Sequence, residues 1–245
     1  MEKCLNSVLN QTYKNYEIIF VDDVSTDNSV EVAKKLIEGK GKVIELKQKR
    51  LNGGARNEGY LYLSDDVDYV CYLDSDDWYK DNKVLEKINN ALITQPDVLF
   101  IGLSDYRGGE TKECIIPSYI NKYEAMQGWS GSCGKVIKKE LAIRQDCLYA
   151  EGTLKEDRNQ HFRICINMKT FDLLQEGVYV WNRENSKSVT TTRDNLWFTS
   201  TIRHYADTLL LYLTYKGIDK KLDEILKSRV NKTRLEVEMG EDRQW

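Results

Sequence analysis

Across residues 1–103, short apolar runs rich in β-branched and aromatic residues alternate with segments whose apolar residues recur at helical spacing. Residues 2–10 carry Leu5, Val8 and Leu9 on one helical face, and residues 17–21 read as a buried strand. Polar residues 25–28 can cap the next helix, which runs through Val30, Ala33, Leu36 and Ile37 until Gly39 and Gly41 stop it. Residues 43–46 form a second strand, Asn52-Gly53-Gly54 a turn, and 55–63 a helix. A third strand over 67–73, a helix over 83–93 and a fourth strand over 98–103 complete the series. That rhythm predicts an α/β fold with a mainly parallel sheet flanked by helices. Ligands of such sheets bind beyond the carboxyl ends of the strands.

Acidic residues gather at those ends. In Leu73-Asp74-Ser75-Asp76-Asp77-Trp78, three carboxylates fall within four positions after an apolar strand. Their repulsion is costly unless solvent or a cation relieves it. A divalent metal shared with diphosphate oxygens is a natural partner, because hard cations prefer oxygen ligands. The bland alternative is a solvated turn that caps a helix, and for D-x-D alone it comes first. In Asp22-Asp23-Val24-Ser25-Thr26-Asp27 the acids can accept from a ribose or a base N–H, or simply cap the helix. In Asn52-Gly53-Gly54-Ala55-Arg56-Asn57 the glycines allow backbone to approach a ligand. It is neither a dinucleotide fingerprint nor a P-loop, so neither of those classes is supported.

Beyond residue 103 the rhythm breaks. Residues 106–110 form a polar turn between extended stretches, 156–168 a helix, 178–181 a strand, and 195–239 a largely helical tail. The net charge of -3 gives no general pull toward nucleic acid, although seven basic and three acidic residues lie between Lys216 and Arg234. None of the six cysteines forms a C-x-x-C pair, which argues for reduced, buried thiols rather than a zinc site. Cys71, inside an apolar run, exemplifies them. No run approaches the roughly 20 apolar residues of a membrane helix, and no secretory segment opens the chain. A cytoplasmic protein is expected, with the inner membrane face as an alternative station.

Taken together, Ser7-Val8-Leu9-Asn10-Gln11-Thr12-Tyr13, Asp22 to Asp27, Asn52 to Asn57 and Asp74 to Asp77 resemble, in order and spacing, the family 2 glycosyltransferases. These are inverting enzymes of the GT-A fold. The likeness covers roughly residues 2–103. Looser matches follow at Glu151-Gly152 with Glu156-Asp157, and over 179–188. The resemblance implies a catalytic domain over 1–194, with a nucleotide-binding half (1–103) and an acceptor half (104–194). A helical C-terminal extension over 195–245 follows it. The family usually has one further strand before the first helix, an apolar run ending in P-x-Y-N at the centre of the sheet. This sequence opens directly on the helix; were that strand truly missing, unpaired backbone at the centre of the sheet would be costly. Val24 stands where the family often has glycine, and its β-branch should exclude positive φ.

The resemblance also implies roles. Asp23 would accept from the donor base, Arg56 would lie near that base, and Asp74 would touch ribose or base. Asp76 would bind the Mn²⁺ or Mg²⁺ that bridges the diphosphate, with Arg183, Ser188 and Lys135 near the phosphates. Asp157 would be the general base, with Glu156, Asp77 and Trp78 near the acceptor. His161, four residues beyond Asp157, reads more readily as a partly exposed surface residue than as a ligand. The implied partners are a nucleotide-diphospho-sugar, a uridine donor first, and a glycan or lipid-linked acceptor of surface-polysaccharide or teichoic-acid type. A second copy bound through the C-terminal helices is a further candidate. No nucleic acid is expected, and a transferase acting on modified nucleic acid is one alternative reading. A degenerate, non-catalytic nucleotide-sugar-binding or scaffold protein is the other.

Overall fold

The computed structural model describes residues 1–184 and 195–241. The chain runs α1 (Glu2–Leu9), β1 (Ile18–Asp22), α2 (Ser29–Leu36), β2 (Gly41–Glu45), α3 (Leu51–Tyr60), β3 (Tyr69–Cys71), β4 (Trp78–Tyr79) and α4 (Val84–Ala91). It continues through β5 (Val98–Arg107), β6 (Glu110–Ile115), α5 (Lys122–Gln127), β7 (Lys135–Lys138), α6 (Lys139–Ala142), α7 (Glu156–Asn167) and β8 (Phe171–Asn182). Two long helices end it, α8 (Asn195–Tyr215) and α9 (Lys220–Glu241).

The strands form two sheets. β1 and β2 pair in parallel, and a six-stranded sheet runs β3-β7-β5-β8-β4 with β6 alongside β5. The parallel pairing that the alternation over residues 1–103 predicts holds for β1–β2; β5–β8, which uses a strand beyond that stretch, is parallel too, and the remaining pairs are antiparallel, so the larger sheet is mixed. β5 is its spine. Its first seven residues are buried, and their side chains alternate between the two faces. Val98 and Phe100 join a core with Ile137, Phe162, Ile164 and Cys165, while Leu99, Ile101 and Leu103 join one with Val84, Ile88, Val178 and Tyr179. The β5–β6 hairpin turns on Gly108 and Gly109, both at positive φ, the two-residue turn that fits strand twist.

Among the described residues β1 pairs only with β2, and β3 only with β7. Their other edges border a cleft of about 1310 Å³ whose walls include Ile19, Val21, Tyr69 and Cys71. Each of these two strands thus leaves one edge unpaired among the described residues. Cys71, expected to be buried, is exposed.

The C-terminal helices are part of the main core rather than an appendage to it. Leu211 of α8 and Leu222 and Leu226 of α9 pack in the same cluster as Phe100 and Phe162. Among the described residues no helix is long and apolar enough to cross a membrane.

Candidate active site

The Asn52-Gly53-Gly54 segment, expected as a turn, is the first turn of α3. Gly53 meets helix α7 and the loop before it so closely that a Cβ would overlap the Ala150 carbonyl, and the Glu156 side chain lies just beyond. The glycine therefore permits helix packing, a need that outweighs its poor helix propensity.

Asp23 starts this helix. Its carboxylate accepts from the Arg50 and Leu51 amides, at 2.6 and 2.9 Å, and so stabilises the positive end of α3. Asp23 also lines the cleft, and two bonds to backbone leave its carboxylate lone pairs that can accept from a base N–H. Arg50, which sequence reasoning passed over, then fastens α3 to the second half of the chain. Its guanidinium grips Glu151 through Nε and Nη2 at 3.0 and 2.6 Å, and Glu58 through Nη1 at 2.6 Å. Asn57 adds a reciprocal pair with the backbone of Tyr149, both at 3.0 Å. The periodicity of α3 gave no hint of Glu151 and Tyr149, which lie about a hundred residues away in sequence.

Arg56 is the electrostatic centre. It donates to Asp74 at 2.8 Å and to Glu156 at 2.7 Å, and its side chain is only 12% exposed. The rings of Tyr149 and Tyr72 lie 5.3 and 5.8 Å from its guanidinium. Burial lowers its proton affinity, but the Asp74, Tyr149 and Glu156 charges raise it well above the usual arginine value. Glu156 is pushed upward by burial and by the Asp157 charge, with Arg56 opposing. Arg56 thus ties the acidic strand end of β3 to the N-terminus of α7, the two places where sequence reasoning put donor and base chemistry.

Of the three carboxylates after β3, Asp74 lines the cleft and Asp76 is half-buried. Asp77 turns inward. It accepts from the Tyr179 hydroxyl and, at 2.8 Å, from the Asn182 amide, and burial pushes it up to about 7. At 2% exposure it is a structural acid and does not face an acceptor. Trp78, also expected at the acceptor, is buried beneath the Lys3 ammonium, 3.1 Å from its ring centre, and against Tyr106. Lys135 is corrected too. Its fully buried ammonium donates to the Ser130 and Gly131 carbonyls at 2.8 and 2.6 Å, and burial lowers it to about 8. It holds a loop together and cannot reach a diphosphate. Arg183 is exposed and stacks 3.9 Å over the Trp181 ring. Ser188 lies outside the described residues.

Asp157 follows Glu156 in the first turn of α7, where the helix dipole favours an anion. Among the described residues its carboxylate has neither a hydrogen-bond nor an ion-pair partner. His161 is fully buried, contrary to expectation. Its Nε2 lies 3.0 Å from the Ala125 carbonyl, and burial with the nearby Lys135 charge depresses it to about 3. It packs the core and takes no part in the site.

A divalent cation fits the donor set at the β3 end. Asp74 and Asp76 offer hard carboxylate oxygens, while among the described residues no three His, Cys, Asp or Glu side chains gather into a cage. Mg²⁺ and Mn²⁺ suit that arrangement, since such ions are commonly held by one or two carboxylates together with substrate phosphates.

Comparison with known proteins agrees with this geometry. The family model described as Glycosyl transferase family 2 matches residues 1–164. Glycosyltransferase GlyA of Streptococcus pneumoniae is 36% identical over 99 residues, covering 40% of this chain and 14% of its own length. The amylovoran biosynthesis glycosyltransferase AmsB of Erwinia amylovora is 31% identical, with 66% of this chain and 56% of its own covered. The chain thus spans only part of these relatives. Among solved structures, S. aureus TarS 1-349 in complex with UDP-GlcNAc superposes with a TM-score of 0.79 at 16% identity, over 96% of this chain and 68% of that one. The mannosyltransferase PcManGT of Pyrobaculum calidifontis, in complex with GDP-Man and Mn²⁺, gives 0.58 at 13% identity, over 94% and 64%. With a GT-A architecture and a family match over most of its length, this chain belongs to the family 2 glycosyl transferases.

Proposed function

We propose that the chain transfers a sugar from a nucleoside diphosphate donor to an acceptor hydroxyl with inversion, using Asp157 as general base and a divalent cation at Asp76 and Asp74. The observation that carries this reading is the Arg56 bridge, which fixes the acidic end of β3 beside the start of α7. Inversion needs one in-line displacement. The acceptor oxygen attacks the anomeric carbon, its proton passes to the Asp157 carboxylate, and the bond to the diphosphate oxygen breaks. When bound, Mn²⁺ or Mg²⁺ neutralises the charge that develops on the leaving diphosphate. No covalent intermediate is required, so a single base suffices.

Uridine is the favoured nucleoside because S. aureus TarS 1-349, which superposes with a TM-score of 0.79, carries UDP-GlcNAc. Likeness to the amylovoran biosynthesis glycosyltransferase AmsB and to a poly(ribitol-phosphate) beta-glucosyltransferase supports an acceptor of surface-polysaccharide or teichoic-acid type. Arg183, exposed on its tryptophan platform beyond the end of β8, is available to the diphosphate. Asp157→Asn keeps the side chain's shape but cannot take a proton. Transfer, or slow donor hydrolysis in its place, should fall roughly 10²-fold or more. UDP binding should change little. A wild-type rate in this variant removes Asp157 as base, and lost UDP binding makes it a structural or metal-linked residue.

A further inference from the structure

Helix α8 is inside out. A surface helix ordinarily buries its apolar side chains and turns its polar ones to water. The buried residues of α8 are Ser200, Thr201, His204, Thr208 and Leu211, so four of the five are polar. Hydrogen bonds hold that face down: the Ser200 hydroxyl accepts from the Leu154 amide at 3.1 Å, and the Thr208 hydroxyl lies 3.1 Å from Asn159 Oδ1. Ile202, Ala206, Leu210 and Leu213, three or four residues apart, run along the opposite face, and all are exposed. Leu210 and Leu213 reach 61 and 60% exposure. Asp207, one of the two Asp, Glu, Lys or Arg residues of α8, is held toward α7 by Arg163 and Asn159 at 2.6 and 2.9 Å.

Helix α9 packs beside it. Leu211 of α8 and Leu222 and Leu226 of α9 enter one core cluster, which leaves the other faces of both helices outward. From the α8–α9 turn onward, Lys216, Lys220, Lys221, Lys227, Lys232 and Arg234 are all exposed. Two of the three acids among them are engaged within the fold. Asp219 accepts from the Tyr123 hydroxyl and the Leu222 amide, both at 2.8 Å, and Asp223 from the Gly217 amide at 3.0 Å to each oxygen. Exposed Ile218 stands at the turn between them.

We propose that the outer face of α8, with the basic residues of α9 beside it, docks on an anionic lipid bilayer. Helix α8 is not apolar enough to cross a membrane, so it lies in the plane of the interface. Leu210 and Leu213 enter the boundary between headgroups and acyl chains, and the lysines meet the lipid phosphates. That partner suits both halves of the surface: aliphatic side chains leave water, and the excess of positive charge meets negative charge. A second copy suits only the first half. A twofold contact through α8 brings two basic α9 helices toward each other, and like charges repel. None of these residues lines the large cleft, so the surface is separate from the transfer site.

The test is co-sedimentation of the full chain with vesicles of phosphatidylcholine alone, and of phosphatidylcholine mixed with phosphatidylglycerol. Wild type is compared with a double variant, Leu210→Gln with Leu213→Gln, and a triple variant, Lys220→Gln, Lys221→Gln and Lys227→Gln. Circular dichroism melts establish that each folds. Wild type should bind the anionic vesicles, bind the neutral ones far more weakly, and be released by salt. The double variant should lose about tenfold or more in affinity, because two side chains no longer leave water. The triple variant should lose about fivefold per lysine removed. Absence of binding to anionic vesicles overturns the proposal, as does equal binding to both vesicles or wild-type affinity in the double variant. A dimer in sedimentation velocity that the double variant dissolves, without vesicle binding, assigns the face to a second copy and overturns it too. If the double variant fails to fold, wild-type affinity in the triple variant is the overturning result. Vesicle binding needs neither donor nor metal, so it stands or falls apart from the transfer reaction.

Discussion

Replacing Arg56 with methionine keeps much of the side chain's volume and removes its charge. Two carboxylates then lose their shared partner: Glu156, whose side chain is 7% exposed, and Asp74, which is 40% exposed. Stripping one member from a buried ion pair costs roughly 3–5 kcal/mol, because the remaining charge is left uncompensated. Glu156 should account for most of that, since solvent relieves Asp74. The cost is limited by protonation. Burial and Asp157 already push Glu156 upward while Arg56 opposes them, so without Arg56 it should take a proton near neutrality. The penalty should therefore shrink as pH falls, by up to about 1.4 kcal/mol per pH unit for one protonating carboxyl. Urea denaturation of wild type and Arg56→Met at pH 8 and pH 6 reads both quantities. A loss below about 1 kcal/mol at pH 8, or one that does not change with pH, would refute the bridging role. Arg56→Lys should recover only part, because an ammonium is a point charge and lacks the fork that spans both acids.

Val24 sits at φ +63, where glycine carries no steric penalty and a β-branched residue does. Val24→Gly should stabilise the chain by about 1 kcal/mol and raise Tm by roughly 2–4 °C; an unchanged or lower Tm in calorimetry would remove the strain argument. Burial depresses His161 to about 3, below its unfolded value, so its contribution is present above about pH 6.5 and is lost as pH falls toward 3. Between pH 6 and 4 the stability of wild type relative to His161→Gln should fall by about 1.4 kcal/mol per pH unit, measured by urea midpoints. Asp77 has the opposite sign. Its folded value of about 7 lies above the unfolded one, so wild type relative to Asp77→Asn should gain stability as pH drops from 7 toward 4.

The elements legible in the sequence were those with strong local patterns. β1, α2, α4 and α7 lie within a few residues of their expected bounds, because apolar spacing and flanking glycines mark them. The turn expected at Gly53 failed because propensity was overridden by contact with Ala150 and Glu156, a partner far away in sequence. Val24 failed likewise: it takes φ +63, a conformation that its own side chain disfavours. In the site, residue types were readable but orientations were not. Asp74, Asp76 and Asp77 look alike in sequence, yet only the fold shows Asp77 turned onto Tyr179 and Asp74 onto Arg56. Lys135 looked like a phosphate ligand until its strand position buried it among carbonyls. Arg50 and Glu151 act through a tertiary ion pair, which carries no local signal.

A cleft that takes a nucleoside diphosphate through a cation at the end of β3 must bind UDP only when the metal is present. Calorimetric titration of UDP into the protein tests it most directly, with Mn²⁺ present and again after chelation, on wild type and Asp76→Asn. Wild type should bind UDP in Mn²⁺ and lose it on chelation, and Asp76→Asn should bind more weakly even with metal. Equal binding with and without metal, or in Asp76→Asn and wild type, would contradict it.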